Sequence, residues 1–357
     1  MKAKITTLVL TYKRPEYLRR AMQSILGQSY SNLQLSIFDN ASGEKTKDVI
    51  NSFSENDERI KHYCHTSNIG ALENHRCAFK SIDTPYFSIL GDDDLLSIDF
   101  YKNAIDVLDS HPEVMFVILN TFIVDEGVNL IAHKECTNRL SFYSGRDGFD
   151  EIHSGNIPRS WAGIVFRKDV AKIYEEMDDS HDDGNDMRFL FRAASRYKYA
   201  YLSKVGAFCT SHSRSASSSF KAVDLVHQGI QISRYIEMFY DENVSQDIRD
   251  RTIFYIKRLL SHKPSIISFV KKIIANFIIP DDHNNKKIEE NIKDLKYAGY
   301  FKMHLITHYL QNSKIASTLA KFLFSRFYKY ILNKRQSRML SLQKGAYKKY
   351  FDYIKDD

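Results

Sequence analysis

Four short apolar runs separated by helix-like stripes open this chain, and that alternation limits its fold more than any other feature. Residues 4–11, 33–38, 60–64 and 86–90 read as strands. After Pro15, a residue suited to a first helical turn, Tyr17, Leu18, Met22, Ile25 and Leu26 recur at helical spacing. Residues 46–53 and 71–80 supply the next two helices. A βαβαβαβ order implies an α/β fold, a mostly parallel sheet covered by helices on both faces. Ligands of such sheets bind beyond the carboxyl ends of the strands. Thr11-Tyr12, Asp39-Asn40 and Asp92-Asp93 all fall at those ends.

The fourth run leads into Gly91-Asp92-Asp93-Asp94. Three adjacent carboxylates at a strand mouth repel one another unless a cation or a hydrogen-bond network neutralises them. Hard oxygen ligands suit Mg²⁺ or Mn²⁺, which commonly also hold substrate phosphates. The competing reading is a polar strand end, with Asp94 capping a helix.

Further along, residues 114–124, 161–166 and 198–203 have strand character, and 186–195 reads as a helix. Strand signals stop near residue 220 and helical spacing takes over. The expected boundary lies in the Ser/Arg-rich loop 211–219. It separates a domain at 1–219 from a basic, amphipathic, all-helical region at 220–357.

Charge sharpens that division. The net charge is +7, yet residues 314–357 alone hold 11 Lys/Arg against 3 Asp/Glu, and the rest of the chain is close to neutral. Residues 266–279 and 315–332 interleave aromatic and aliphatic side chains with Lys and Arg, which suits an anionic membrane surface. Packing on protein, including a second copy in a homo-oligomer, stays open. Nucleic acid is not expected as a partner, because no recognisable module accompanies the basic tail. No uninterrupted apolar run reaches the ~18 residues of a spanning helix. Cys64, Cys77, Cys136 and Cys209 show no paired spacing. That fits reduced thiols in a cytoplasmic protein and argues against a disulfide framework or a Cys-based zinc site. The N-terminus runs into a strand without a signal-peptide pattern.

Four segments then occur in a telling order. They are Thr7-Leu8-Val9-Leu10-Thr11-Tyr12-Lys13-Arg14-Pro15, Ser24-Ile25-Leu26-Gly27-Gln28-Ser29-Tyr30, Asp39-Asn40-Ala41-Ser42 and Asn68-Ile69-Gly70. With the triplet they resemble glycosyltransferase family 2, which has the GT-A fold. Asn185-Asp186-Met187-Arg188-Phe189-Leu190-Phe191-Arg192 is similar to that family's EDxxLxxR helix. Residues 209–217 are similar to its RxHxxSxS loop. The resemblance covers about residues 4–215. It departs at Gly91, where the family has the first Asp of its metal motif, and at Asn185, where the family has Glu.

The resemblance implies a GT-A nucleotide-diphospho-sugar transferase fold and an inverting, metal-dependent glycosyltransferase of polysaccharide biosynthesis. Mn²⁺ or Mg²⁺ would be its cofactor. The donor would be a nucleotide-diphosphate sugar such as a UDP-sugar. The acceptor would be a hydroxyl of a lipid-linked or growing surface glycan, of the O-antigen or capsule kind. Such an enzyme would work in the cytoplasm, peripherally at the inner face of the plasma membrane.

Residue by residue, the resemblance assigns Thr11, Tyr12, Arg14, Asp39, Asn68, Asp92 and Arg214 to the donor nucleotide. Their chemistry is compatible: Tyr12 can stack, Arg14 can reach phosphate, and Asp39 can accept an imide N–H or cap its own turn. Asp93 and His212 become metal ligands. Asp186 becomes the base that takes the acceptor proton, with Trp161, Asp94 and Asn185 toward the acceptor or sugar pocket. Trp161 reads equally well as a core residue. Two other functions remain. Nucleotidyl transfer to a sugar phosphate usually wants a glycine-rich phosphate loop, and residues 11–16 contain no glycine. A membrane-docked scaffold with a decayed site has Gly91 and Asn185 as its support.

Overall fold

The computed structural model describes residues 3–177, 185–212, 238 and 241–261. These fall into two compact units that part between Ser213 and Arg214. Arg214, the acidic stretch 178–184 and the basic segments 266–279 and 315–332 lie outside the described residues, as do most of 220–357.

The first unit is built on one ten-stranded sheet. Its strands are β1 (Ile5–Thr11), β2 (Leu33–Asp39), β3 (Ile60–Cys64), β4 (Tyr86–Gly91), β5 (Leu95–Leu96), β6 (Phe116–Val124), β7 (Leu130–Ala132), β8 (Leu140–Tyr143), β9 (Ile164–Arg167) and β10 (Tyr199–Thr210). The order is β3-β2-β1-β4-β9-β6-β10-β5, with β7 on β6 and β8 on β10. β3, β2, β1 and β4 are parallel, as their alternation with helices requires. Beyond β4 the sheet becomes mixed, because β9 runs antiparallel between β4 and β6. Register aligns Thr11 with Asp39, Leu10 with Gly91, and Asp39 with Cys64. One edge of the sheet therefore collects four strand ends.

Helices cover both faces. α1 (Pro15–Leu26), α2 (Glu44–Ser54) and α4 (Phe100–Ser110) bury Leu18, Met22, Ile25, Ile50, Phe100 and Ile105 against one face. On the other, α3 (Ala71–Lys80), α6 (Lys172–Glu175) and α7 (Asn185–Arg196) supply Phe79, Tyr174 and Phe189 to a cluster of rings with Phe87 and Phe166. A further helix, α5 (Gly145–Ser154), packs against α7. Burying one such ring contributes about 2–3 kcal/mol, so the aromatic cluster is a firm platform for what stands on it.

Two local expectations change. Trp161–Gly163 is a single 3₁₀ turn, and the strand begins only at Ile164. The turn passes so close to β6 that only glycine fits at 163: a side chain there would meet Thr121 Oγ1 at 2.5 Å and the Leu119 carbonyl at 2.9 Å. The strand expected at 198–203 continues to Thr210, bent by register shifts after Leu202 and after Val205. Gly206, at that bend, has Leu119 Cβ only 2.5 Å from where its own Cβ would stand.

In the second unit the described helix is α8 (Gln246–Ser261). Ile248 and Thr252 are buried on it. Arg251 caps the rings of Phe254 and Tyr255 at 4.6 and 4.9 Å.

Candidate active site

Asp92, Asp93 and Asp94 come after β4 in a tight turn closed by Asp94 N–H donating to Gly91 O at 3.2 Å. Each carboxylate has a different environment. Asp92 is buried; it accepts from Thr11 Oγ1 at 2.8 Å and from Arg14 Nη1 at 3.2 Å. Asp93 accepts from the same Arg14 nitrogen at 3.1 Å and lies 2.9 Å from His212 Nε2. Asp94 accepts from Thr210 N–H at 3.0 Å and from the Cys209 thiol at 3.4 Å.

Burying and crowding raise the affinity of two of these carboxyls for protons. Burial, then the neighbouring charge of Asp93, pushes the Asp92 carboxyl up to about 6, with Arg14 and Thr11 opposing. Burial and Asp93 push Asp94 further, to about 7, against the Thr210 and Cys209 hydrogen bonds. The Cys209 thiol is held well above its ordinary range by burial and by Asp94. Two carboxyls raised this far mark a place where added positive charge is favourable.

Arg14 supplies part of that charge, and His212 places a ring nitrogen beside Asp93. Arg14 stands just before α1 and makes no side-chain capping bond there; its guanidinium bridges Asp92 and Asp93 instead. His212 lies just past β10 with its side chain almost fully enclosed. Its ring stacks on Tyr17, centroids 4.7 Å apart and planes 22° apart. The Tyr17 hydroxyl donates to the Glu126 carboxylate, and Arg20 holds the Glu126 carbonyl at 2.9 Å. Sequence reasoning missed Tyr17 and Glu126; Tyr17 looks like one more residue of a helical stripe.

The residues expected at the donor gather at the ends of β1 and β2. Lys13 and Ala41 both have left-handed backbones, with φ of +56° and +60°. Lys13 N–H donates to Ser42 Oγ at 2.9 Å, locking the two loops together. Asp39 is buried and accepts from Ser42 N–H at 2.8 Å. Burial raises its carboxyl, but His62 and Ser42 outweigh that and hold it below the usual range. Asn40 reaches across to the Asn68–Gly70 turn, donating to Asn68 Oδ1 at 2.9 Å and accepting from Ile69 N–H at 2.9 Å. Gly70, with φ +84°, takes a conformation that a side chain would strain. Tyr12 is well exposed beside this turn. Asn68 and then Lys13 hold its phenol below the ordinary range.

Trp161 is buried among rings, edge-on to Phe79 and Phe189. Its indole N–H donates to the Asp186 carbonyl at 3.0 Å, pinning the first turn of α7. Ser160, one residue earlier, contacts Cys209 Sγ at 3.1 Å. A continuous path of contacts thus joins Asp94, Cys209, Ser160, Trp161 and the backbone of Asp186. The Asn185 side chain, like Arg214, lies outside the described residues.

Asp93 and His212 are a carboxylate oxygen and an imidazole nitrogen converging on one point, beside two carboxyls that favour added positive charge. Mg²⁺ and Mn²⁺ accept such donors and take their remaining positions from water and substrate phosphates. The residues present therefore fit a divalent cation.

An acidic turn at the carboxyl end of a parallel half-sheet, inside a larger mixed sheet, defines a GT-A-like fold, and solved structures share it. Residues 1–349 of S. aureus TarS in complex with UDP-GlcNAc superpose with a TM-score of 0.57 at 14% identity, over 74% of each chain. The mannosyltransferase PcManGT from Pyrobaculum calidifontis, in complex with GDP-Man and Mn²⁺, gives 0.50 at 15% identity, over 91% of this chain and 88% of that one.

Residues 6–174 match glycosyl transferase family 2, and this chain carries a domain of that family. An uncharacterized glycosyltransferase of Haemophilus influenzae is 26% identical over 104 residues, 29% of this chain and 42% of that protein. The GalNAc(5)-diNAcBac-PP-undecaprenol beta-1,3-glucosyltransferase of Campylobacter jejuni is 28% identical over 94 residues, 26% of this chain and 30% of that protein. The chain spans about half the length, or less, of these and the other curated relatives it matches.

Proposed function

We propose that this chain is an inverting glycosyltransferase. It moves a sugar from a nucleoside-diphosphate donor, a UDP-sugar, to a hydroxyl of a lipid-linked or growing surface glycan. The observation that carries the reading is the meeting of Asp93, His212 and Arg14 beside two carboxyls of raised pKa, at the edge where β1, β2 and β4 end. The UDP-GlcNAc complex of TarS supports the donor class. The name of the Campylobacter relative supports the acceptor class.

Asp93 and His212 would hold Mn²⁺ or Mg²⁺, which when bound neutralises a diphosphate and eases its departure. Tyr12, Asp39 and Asn68 receive the nucleoside, with Asp39 accepting the imide N–H of the base. Thr11 and Arg14 orient Asp92 and Asp93, and Arg14 is in reach of a diphosphate placed over the turn. Asp186, at the pinned start of α7, takes the proton from the acceptor hydroxyl. The acceptor oxygen bonds to the anomeric carbon on the face opposite the diphosphate. The bond from that carbon to the phosphate oxygen breaks, and the nucleoside diphosphate leaves.

Among the described residues no helix is long and apolar enough to cross a membrane. The basic segments beyond residue 260 support peripheral attachment to an anionic bilayer.

The test is release of UDP with a panel of UDP-sugars, with and without EDTA. Loss of release in EDTA, and loss of transfer in Asp93→Ala and Asp186→Ala, supports the roles given. Full transfer by either variant removes that residue from its role. Release of pyrophosphate replaces the reading with nucleotidyl transfer, and nucleotide binding without turnover of any donor replaces it with a scaffold.

A further inference from the structure

On the outer parallel strands, three side chains of different chemistry converge away from the acidic turn. Asp39 ends β2, and its register partner on β3 is Cys64. His62 precedes Cys64 by two residues, so both point to the same face of β3. Asp39 Oδ2 lies 3.7 Å from His62 Nε2 and 3.8 Å from Cys64 Sγ. One donor atom from each residue falls within 4.8 Å of the others. No other group of three His, Cys, Asp or Glu side chains among the described residues meets this closely. His62 Nε2 is buried, and the Asp39 carboxylate it faces at 3.7 Å lies beyond ordinary hydrogen-bond length.

The separations suit a tetrahedral ion. Bonds of about 2.0–2.3 Å to O, N and S place ligand atoms roughly 3.3–3.7 Å apart; the two Asp39 separations lie within a few tenths of an ångström of that range, and the His62–Cys64 pair is within 4.8 Å. The scaffold is braced for it. Phe38 and Tyr63, the preceding register pair, stack with centroids 4.7 Å apart. Ser42 N–H holds the other Asp39 oxygen at 2.8 Å. Cys64 is exposed, which gives an ion a way in.

We propose that Asp39, His62 and Cys64 form a site for Zn²⁺ or a similarly thiophilic divalent ion, separate from the Asp93–His212 pair. The thiolate donor selects zinc over Mg²⁺. Three protein ligands leave a fourth position for water. Binding displaces the thiol proton, so affinity rises with pH. Resting on the function proposed above, in which Asp39 receives the nucleobase, an ion on Asp39 Oδ2 competes with the nucleoside. Zinc is then an antagonist of donor binding.

The probe is Co²⁺, titrated into the full-length chain with excess Mg²⁺ and a phosphine reductant. The expected spectrum has tetrahedral visible bands and a thiolate-to-cobalt charge-transfer band, which equimolar Zn²⁺ abolishes. Cys64→Ser loses the charge-transfer band, and His62→Gln weakens cobalt binding at least tenfold. A wild-type spectrum without the band, or a band that survives Cys64→Ser, overturns the site. A readout on the wild-type chain guards against misfolded variants: Zn²⁺ should shield Cys64 from iodoacetamide, read by peptide mass spectrometry, and equal labelling overturns the site. Uridine, which has no phosphate to chelate cobalt, tests the competition. Bleaching of the band supports it; an unchanged band overturns the shared use of Asp39 and leaves the metal site standing.

Discussion

Replacing Asp94 by Asn should stabilise the cation-free protein at pH 8 and do nothing at pH 4. In the folded domain the Asp94 carboxyl is raised from 3.8 to about 7, by burial and by Asp93. A raised carboxyl binds its proton more tightly folded than unfolded. Wild-type stability therefore falls as pH climbs from about 4 to about 7. About three pKa units at 1.36 kcal/mol each give a ceiling of about 4 kcal/mol. Asp94 is only partly enclosed, and solvent screening roughly halves that, to about 2 kcal/mol. For a domain of this size the gain is roughly 4–8 °C in Tm. Asn keeps the local geometry: its oxygen still accepts from Thr210 N–H, and its amide can donate to Cys209 Sγ. The assay is calorimetry of the full chain in EDTA at pH 4, 6 and 8. A variant no more stable than wild type at pH 8, or equally favoured at pH 4, refutes the electrostatic reasoning.

Three further outcomes rest on single contacts. Gly206→Ala places a Cβ 2.5 Å from Leu119 Cβ and 3.2 Å from the Phe100 ring; thermal melts should show a loss of about 1–3 kcal/mol. Tyr17→Phe keeps the stack on His212 but removes the bond to Glu126, and it should weaken Mn²⁺ binding by about tenfold in electron paramagnetic titrations. Arg14→Gln leaves Asp92 and Asp93 without the shared guanidinium. Its Tm in EDTA should fall at pH 8, recover toward pH 5 as Asp92 protonates, and recover at pH 8 when Mn²⁺ is added.

The legible parts of this chain are those with repetition. β1 to β4 alternate with amphipathic helices, so their order, direction and shared binding edge can be read from spacing alone. β5, β7 and β8 have two, three and four residues, too few to show a period. The turn at Trp161–Gly163 brings Gly163 against the Leu119 carbonyl, a long-range approach that no local pattern encodes. At the site, the loops that meet are legible and the partners of their side chains are not. Arg14 is expected at phosphate, yet here it bridges two carboxylates. Thr11 and Asp92 are expected to face the donor, yet here they bond to each other. The Asp94–Cys209 contact spans 115 positions in sequence. Cys64 carries no metal-site spacing, because strand pairing, not sequence distance, sets it beside Asp39.

The central claim is that Asp93 and His212 hold a divalent ion that in turn holds a donor diphosphate. Calorimetric titration of UDP into the full-length chain, with Mn²⁺ and with EDTA, in wild type and Asp93→Ala, tests it most directly. UDP should bind wild type in Mn²⁺, and should bind at least tenfold more weakly in EDTA or in Asp93→Ala. UDP affinity unchanged by EDTA and by the substitution would contradict the claim.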